Sequence, residues 1–362
     1  MILTFILTWA LPTLVFIGIL AILVLIHEWG HFMAARSCGM EVEEFGFGFP
    51  PRVYGKKIKG TLYSFNLIPL GGFVRIKGED GKDKGPGTFG SKSVAARIFV
   101  VCAGVLMNFV LAFVAIMVAF YLHMPPLVSH PDAYHGVVTQ GSGGLYVNQI
   151  QDGSLAYRSD VQVGDVIIKI ADTVSPSTAD IRQTISNSHG KFVALTVYRE
   201  GAEKIVALKV DNENILGVGL NEKIPQVSYQ WYAVPYYALL ETGKVIGYTF
   251  MAIVGFLKNL VFHQVVPADV TGPIGIFELT AVAVKLGFGY VLTLLIILSV
   301  NLGIINILPF PALDGGRFVF LLVEKIRGRS VAAQVETVIH NIGFIILLIL
   351  IVLVTYRDIV RL

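Results

Sequence analysis

Residues 23–36 read LVLIHEWGHFMAAR. They close a run of 26 residues without a charged side chain, and they close it with two histidines and a glutamate. An α-helix rises about 1.5 Å per residue with 3.6 residues per turn, so His27 and His31 project from one face. Two imidazoles at that spacing can grip one Zn2+. Glu28 sits one residue round the helix, near the metal without having to bind it, in the general-base position of H-E-x-x-H. Pro12 can open a helix, and from there His27 lies about 22 Å along the axis. In a hydrocarbon core about 30 Å thick, the motif is expected inside the bilayer. Ionisable groups in a span are costly, so their presence there argues for function.

The rest of the composition agrees. Of 362 residues, 54% are hydrophobic and only 15% charged, with a mean hydropathy of +0.70. Soluble domains carry about 25% charged residues. A net charge of +3 gives no reason to expect a nucleic-acid partner. The two cysteines, Cys38 and Cys102, make no disulfide framework and read as unreactive thiols. The N-terminal apolar run is too long for a signal-peptide core, has no basic residue ahead of it and lacks a small-residue cleavage site, so it reads as a retained helix.

Four segments are long and apolar enough to cross a bilayer: residues 5–26, 98–122, 287–311 and 338–356. A polar block, 129–213, separates the second from the third. Loop 32–97 holds 11 Lys and Arg against 6 Asp and Glu, while 123–230 holds 8 against 11. The positive-inside rule then puts 32–97 and 315–340 in the cytoplasm, with both termini and the polar block outside. Residues 245–257 are apolar but short, with Lys244 and Lys258 at their ends, and read as interfacial or re-entrant rather than as a span.

Two histidines and a water leave one site on a tetrahedral zinc. The candidate third ligand is Asp314, which ends an uncharged run that starts at Leu286. A carboxylate at that depth needs a cation; the plainer alternative is that Asp314 caps the next helix ahead of Gly315 and Gly316. The first and third spans both run inward, which brings His27, His31 and Asp314 to one depth. An extra full crossing by 245–257 would break that agreement.

HEWGH on the first span, NILPFPALDGG on the third and a single PDZ-like block between spans two and three resemble the site-two protease family of intramembrane zinc metalloproteases. The resemblance implies a polytopic α-helical membrane protein of about four transmembrane helices, with a membrane-associated β-hairpin region and one inserted PDZ-like α/β domain. It implies Zn2+ as cofactor, His27, His31 and Asp314 as its ligands and Glu28 as the catalytic base. Asn306, Pro309 and Pro311 match the family's substrate-side pattern: an amide can donate and accept toward an extended peptide, and the prolines stop the helix where it faces a cavity. The alternative for Asn306 is interhelical hydrogen bonding, and Asn108 reads as a packing residue. Larger members carry two tandem PDZ domains; this chain has room for one.

On this reading 1–37 hold the first span, 38–92 the cytoplasmic loop with its hairpin, 93–122 the second span and 129–213 the PDZ-like domain. Residues 230–285 form interfacial or amphipathic helices, 286–316 the third span, 317–337 a cytoplasmic connector and 338–356 the fourth span. Residues 144–175 follow the PDZ order of strand, spacer and VGDVIIKI, and 195–210 supply two strands around a turn at Glu200 and Gly201. A peptide or protein ligand could add as a strand, with Gly143, Gly144 and Leu145 forming the loop that takes its C-terminal carboxylate, or the domain could only screen out bulky substrates. Residues 61–80 alternate like a hairpin, and 44–53 resemble a Gly-rich membrane-dipping loop. A strand within 61–76 beside the zinc is expected to hold unwound substrate, the alternative being a structural hairpin at the membrane surface.

The implied activity is intramembrane proteolysis of single-pass proteins, such as anti-sigma factors or signal-peptide remnants, in a bacterial inner membrane. The lipid bilayer is itself a partner, with the active site near the cytoplasmic side and the PDZ-like domain outside. One rival is an inactive zinc- or peptide-binding relative, against which Glu28 stands intact. The other is a metal transporter, against which no second set of intramembrane ligands marks a path. His123, His130, His135, His189, His263 and His340 are scattered and read as surface or helix-end residues.

Overall fold

The computed structural model describes residues 9–79, 85–129, 131–140, 145–151, 153–174, 176–199, 202–210, 216–222, 226–263 and 272–361. It divides into two compact units, Met1–Val118 with Pro235–Leu362, and Ala119–Val234.

Helix α1 spans Leu11–Ser37, with a proline in its first turn and Arg36 in its last. Each suits its end: the first turn does not need the missing N–H, and a cation faces the terminal carbonyls. Ile19, Leu23, His27, Gly30 and Ala34 are buried, a spacing that draws one stripe along the helix.

Strands β1 (Val42–Ile58) and β2 (Thr61–Ile76) are joined by Lys59 and Gly60, both at positive φ (47° and 90°). The ribbon folds back on itself. Phe45 is paired with both Tyr63 and Val74, and Phe47 with both Phe65 and Gly72, so 45–47 lie between two stretches of β2. Glycine permits this: a Cβ on Gly46 would strike the Phe73 ring, and one on Gly48 the Ile68 carbonyl. The stretch 44–53, read from the sequence as a dipping loop, therefore lies within β1, because Phe alternating with Gly builds a strand with one bare face.

Helix α2 (Val94–Tyr121) runs back along α1. Gly30 lies against the Ala103 backbone too closely for any side chain, and His31 reaches the Val100 carbonyl. Close approach through small residues is how helices pack when lipid rather than water surrounds them.

The second unit contains β3 (Val137–Gln140), β4 (Leu145–Ile150), α3 (Leu155–Arg158), β5 (Val166–Ile170), β6 (Thr173–Val174), α4 (Thr178–Ser186), β7 (Phe192–Arg199), β8 (Ala202–Lys209), β9 (Val218–Glu222) and β10 (Gln226–Ser228). Its main sheet has the order β8-β7-β5-β4-β9, with β6 on β5; β10 pairs with β3. Val147, Ile167, Ile170, Leu195, Val197 and Leu208 form its core with Ile181 and Ile185 of α4. Buried Asp165 of the VGDV stretch accepts two hydrogen bonds from Arg199, at 2.6 and 2.8 Å. Leu145 pairs with Ile167 on one side and Glu222 on the other, so β4 has no open edge there. The chain's own β9 thus occupies the side of Leu145 opposite β5. Gly143, Gly144, Glu200 and Gly201 lie outside the described residues.

Helices α5 (Val234–His263), α6 (Pro273–Leu286), α7 (Phe288–Ile307), α8 (Asp314–Arg327) and α9 (Ala333–Arg361) complete the first unit. Among the described residues, five helices are long and apolar enough to cross a membrane: α1, α2, α5 through Phe256, α7 and α9. The sequence reading counted four. The difference is α5, where Lys244 marked the edge of an apolar stretch but does not interrupt the helix, since lysine is a good helix former. Along α2, Ser299 of α7 donates to the Asn108 carbonyl (2.8 Å), and Glu324 of α8 pairs with Arg97. The chain from α7 into α8 therefore descends α2 in the same direction as α1.

Candidate metal centre

Three atoms converge where α1 meets the start of α8. Nε2 of His27 lies 3.1 Å and Nε2 of His31 3.3 Å from Oδ2 of Asp314, and the two nitrogens are 3.2 Å apart. Among the described residues this is the one group of three or more His, Cys, Asp or Glu side chains close enough to share an ion. Asp314 Oδ2 is buried and has no hydrogen-bond partner. Metal–ligand bonds of about 2.0–2.2 Å in a tetrahedron separate ligand atoms by about 3.3–3.6 Å. The observed triangle fits such an ion. Helix capping, the alternative for Asp314, is not what its Oδ2 does.

The imidazoles are held from behind. Nδ1 of His31 lies 2.8 Å from the Val100 carbonyl, which can only accept, so Nδ1 carries the proton and Nε2 keeps its lone pair. Nδ1 of His27 lies 3.1 Å from the Asn108 amide, and Asn108 is fully buried. The Asn108 Oδ1 has no partner among the described residues. Turning the amide over brings that oxygen to an Nδ1–H and frees Nε2 of His27 in the same way. Gly104 completes this wall: a Cβ there would collide with the His31 ring.

Glu28 is not among the converging atoms; it is half-buried on the adjoining face of α1. There it meets β2: a Cβ on Gly72 would lie 3.3 Å from Glu28 Cγ and 2.8 Å from Val24. The stretch of β2 beside the metal ligands thus passes at van der Waals distance from the glutamate.

Asn306 is half-buried on the last turn of α7, and its amide has no partner among the described residues. Pro309 and Pro311 lie in the turn that stops α7 before α8. That turn is tightly built. Ala312 takes a left-handed φ of 77° and donates its N–H to Nδ1 of His340 at 2.9 Å, while Gly343 of α9 packs on Pro311. Gly315 and Gly316 lie against the carbonyls of Leu308 and Phe310. Arg317, one turn past Asp314, is paired with Glu79, and Arg97 holds Glu324 at 3.0 and 2.5 Å.

Asn108 and His340 were undervalued in the sequence. For Asn108 a signal existed: Gly104 and Asn108, four apart, share one helix face and place a small residue and an amide together. For His340 there was none, because its partner lies 28 residues away. Cys38 and Cys102 are both free.

Residues 15–350 match peptidase family M50. A Clostridium acetobutylicum protein named, provisionally, a zinc metalloprotease is 32% identical over 350 residues, covering 95% of this chain and 96% of its own length. The zinc metalloprotease RasP of Oceanobacillus iheyensis is 28% identical over 431 residues (96% of this chain, 98% of RasP). The regulator of sigma-E protease RseP of Escherichia coli is 27% identical over 440 residues (96% and 98%). The last two alignments are longer than the 362-residue chain, so both relatives carry segments that it lacks. With its family match running from the first helix into the last, the chain belongs to peptidase family M50.

Proposed function

We propose that this M50 peptidase is an intramembrane zinc endopeptidase that hydrolyses a peptide bond in or beside the transmembrane segment of single-pass proteins. His27, His31 and Asp314 hold the zinc, and Glu28 is the general base. The observation that carries this reading is the convergence of two imidazole nitrogens on a buried, unpartnered carboxylate oxygen at the inner end of an apolar helix. Zinc, when bound, polarises the scissile carbonyl and acidifies the attacking water. Glu28 takes the proton of that water and passes it to the leaving amine. The Val100 carbonyl and Asn108 keep both imidazoles in the ligating tautomer.

A helical substrate cannot be cut until its scissile bond is extended, because its carbonyls are bonded and shielded. The part of β2 that passes Glu28 at Gly72 supports a role in holding that extended segment by strand pairing. Asn306, whose amide has no partner among the described residues, assists, and Pro309 and Pro311 shape the turn.

The parallel course of α1 and α7 supports an even number of crossings between α2 and α7. We therefore place α5 along the membrane interface, where its exposed Tyr236 and Tyr248 suit the head-group region. The metal site then faces the cytoplasmic side of a bacterial inner membrane, and the unit 119–234 lies outside. That unit acts as a PDZ-like screen on substrate size; the paired edges of β4 favour screening over capture of a peptide at Leu145. Substrates are anti-sigma factors or signal-peptide remnants already trimmed on their outer side.

The test compares the wild type with Glu28→Gln in detergent, each with its zinc content measured, on a single-pass substrate lacking its outer domain. One zinc in both and cleavage by the wild type alone is the expected result. Zinc in both and cleavage by neither, across several substrates, would point to a binding protein. Equal cleavage by both would remove Glu28 as the base.

A further inference from the structure

We propose that the Glu79–Arg317 ion pair sets the position of the substrate-holding strand against the metal centre, and so selects which peptide bond meets Glu28. The proposal rests on the reading that β2 near Gly72 holds the unwound substrate.

The two partners belong to different halves of the site. Glu79 follows β2, seven residues after Gly72, and its Oε2 accepts from the Ile76 backbone N–H at 3.3 Å, closing the strand's end. Its Oε1 is paired with Arg317, three residues after Asp314 on α8. One carboxylate therefore joins the end of the strand beside Glu28 to the helix that bears Asp314. The partners are 238 residues apart in the chain, so local connectivity cannot set the distance between them.

The other ties on this region lead elsewhere. Arg97 anchors Glu324 of α8 to α2, and Gly343 and His340 anchor the preceding turn to α9. Those contacts hold the carrier of Asp314 to the helical scaffold, whereas Glu79 refers the strand to that carrier. The Glu79 side chain is 19% and the Arg317 side chain 43% exposed, and the pair lines a cavity of about 700 Å³ with Arg97, Glu324, Glu336 and His340. Charge-assisted contacts are stronger than neutral ones, and Glu79 places one oxygen on Arg317 Nη1 and the other on the Ile76 N–H.

The geometry makes a specific prediction about products. Side chains along a strand alternate with a period of two. A strand loosened from α8 can therefore offer the substrate two residues out of place while keeping the same side chains toward the protein.

The experiment compares wild type, Glu79→Gln, Arg317→Gln and the double exchange Glu79→Arg with Arg317→Glu. Each is purified as the full chain with its zinc content and melting temperature measured. Cleavage of one single-pass substrate is followed, and the cut bonds are located by mass spectrometry. Each single variant should keep one zinc, lose about tenfold in kcat with little change in KM, and yield products displaced by two residues. The double exchange should restore the single product and most of the rate. If Arg317→Gln does not accumulate, Glu79→Asp, which keeps the charge on a shorter arm, should give the same displaced products. Single variants that cut the wild-type bond at the wild-type rate would overturn the proposal. So would a slower rate at an unchanged bond that the exchange fails to restore, which would mark the pair as structural only. A wild type that cuts no substrate would instead sink the protease reading, and this proposal with it.

Discussion

The Asn108 amide lies 3.1 Å from Nδ1 of His27, on the side of the imidazole away from Asp314. With its oxygen turned to Nδ1–H, a buried amide in that position leaves the lone pair on Nε2. Outer partners of this kind typically contribute 10–100-fold to metal affinity. Asn108→Ala is therefore expected to weaken zinc binding by about 10- to 100-fold. Asn108→Asp, which still accepts from Nδ1–H, should bind at least as tightly as wild type. Competition against a zinc chelator measures both, and equal affinity in all three proteins would remove the role.

His340 supports the third corner of the site at one remove. It accepts the Ala312 N–H in a turn whose left-handed residue is two positions from Asp314. His340→Phe keeps the ring and leaves that N–H unpaired, a loss of about 1–3 kcal/mol. The expected outcome is a lower melting temperature together with faster zinc loss to a chelator. His340→Gln, which retains an acceptor, should recover part of both. A Phe variant that matches wild type in both measurements would show the turn to be held by Pro311 and Gly343 alone.

The Asp165–Arg199 pair lies in the other unit. Both side chains are buried, and removing one partner strands a charge. Arg199→Leu should destabilise this unit by about 3–5 kcal/mol. Limited proteolysis should then cut within 119–234 at denaturant concentrations that leave the wild type intact, while zinc content stays at one per chain. Simultaneous loss of zinc would show that the two units do not unfold separately.

The start of α4 supplies a pH dependence. The Ser177 hydroxyl and backbone N–H hold the Asp180 carboxyl below its ordinary range in a reciprocal capping box. A depressed folded value means that the stabilisation is complete above the unfolded carboxylate's pKa of about 3.9. It fades as pH falls through the lower folded value. Carboxyl NMR of selectively labelled aspartate should show Asp180 titrating at lower pH in the wild type than in Ser177→Ala. Identical titration in the two proteins would contradict the capping account.

Several features were legible because they rest on local chemistry. The apolar runs declared α1, α2, α7 and α9, since twenty or so residues without charge suit little else than lipid. His27 and His31 were readable as a pair because helix geometry alone puts positions four apart on one face. Asp314 stood out because a carboxylate ending an uncharged run needs a cation. What failed to show was pairing between distant segments. The partner of 61–76 proved to be 42–58, folded so that Phe45 meets both Tyr63 and Val74. The continuation of α5 through Lys244 was hidden because one lysine looks like the border of a span but is harmless within a helix.

Taken alone, the sequence determined the class of the protein and picked out the three groups that converge, because period, length and the cost of a buried charge are local quantities. Tertiary structure alone decided that His27 and His31 meet Asp314 at 3.1 and 3.3 Å, that Asn108 and the Val100 carbonyl stand behind their rings, and that β2 passes Glu28 at Gly72. Those contacts join residues tens to hundreds of positions apart, and such distances are set by how glycine-lined helices and a folded ribbon pack, which no period in the chain encodes.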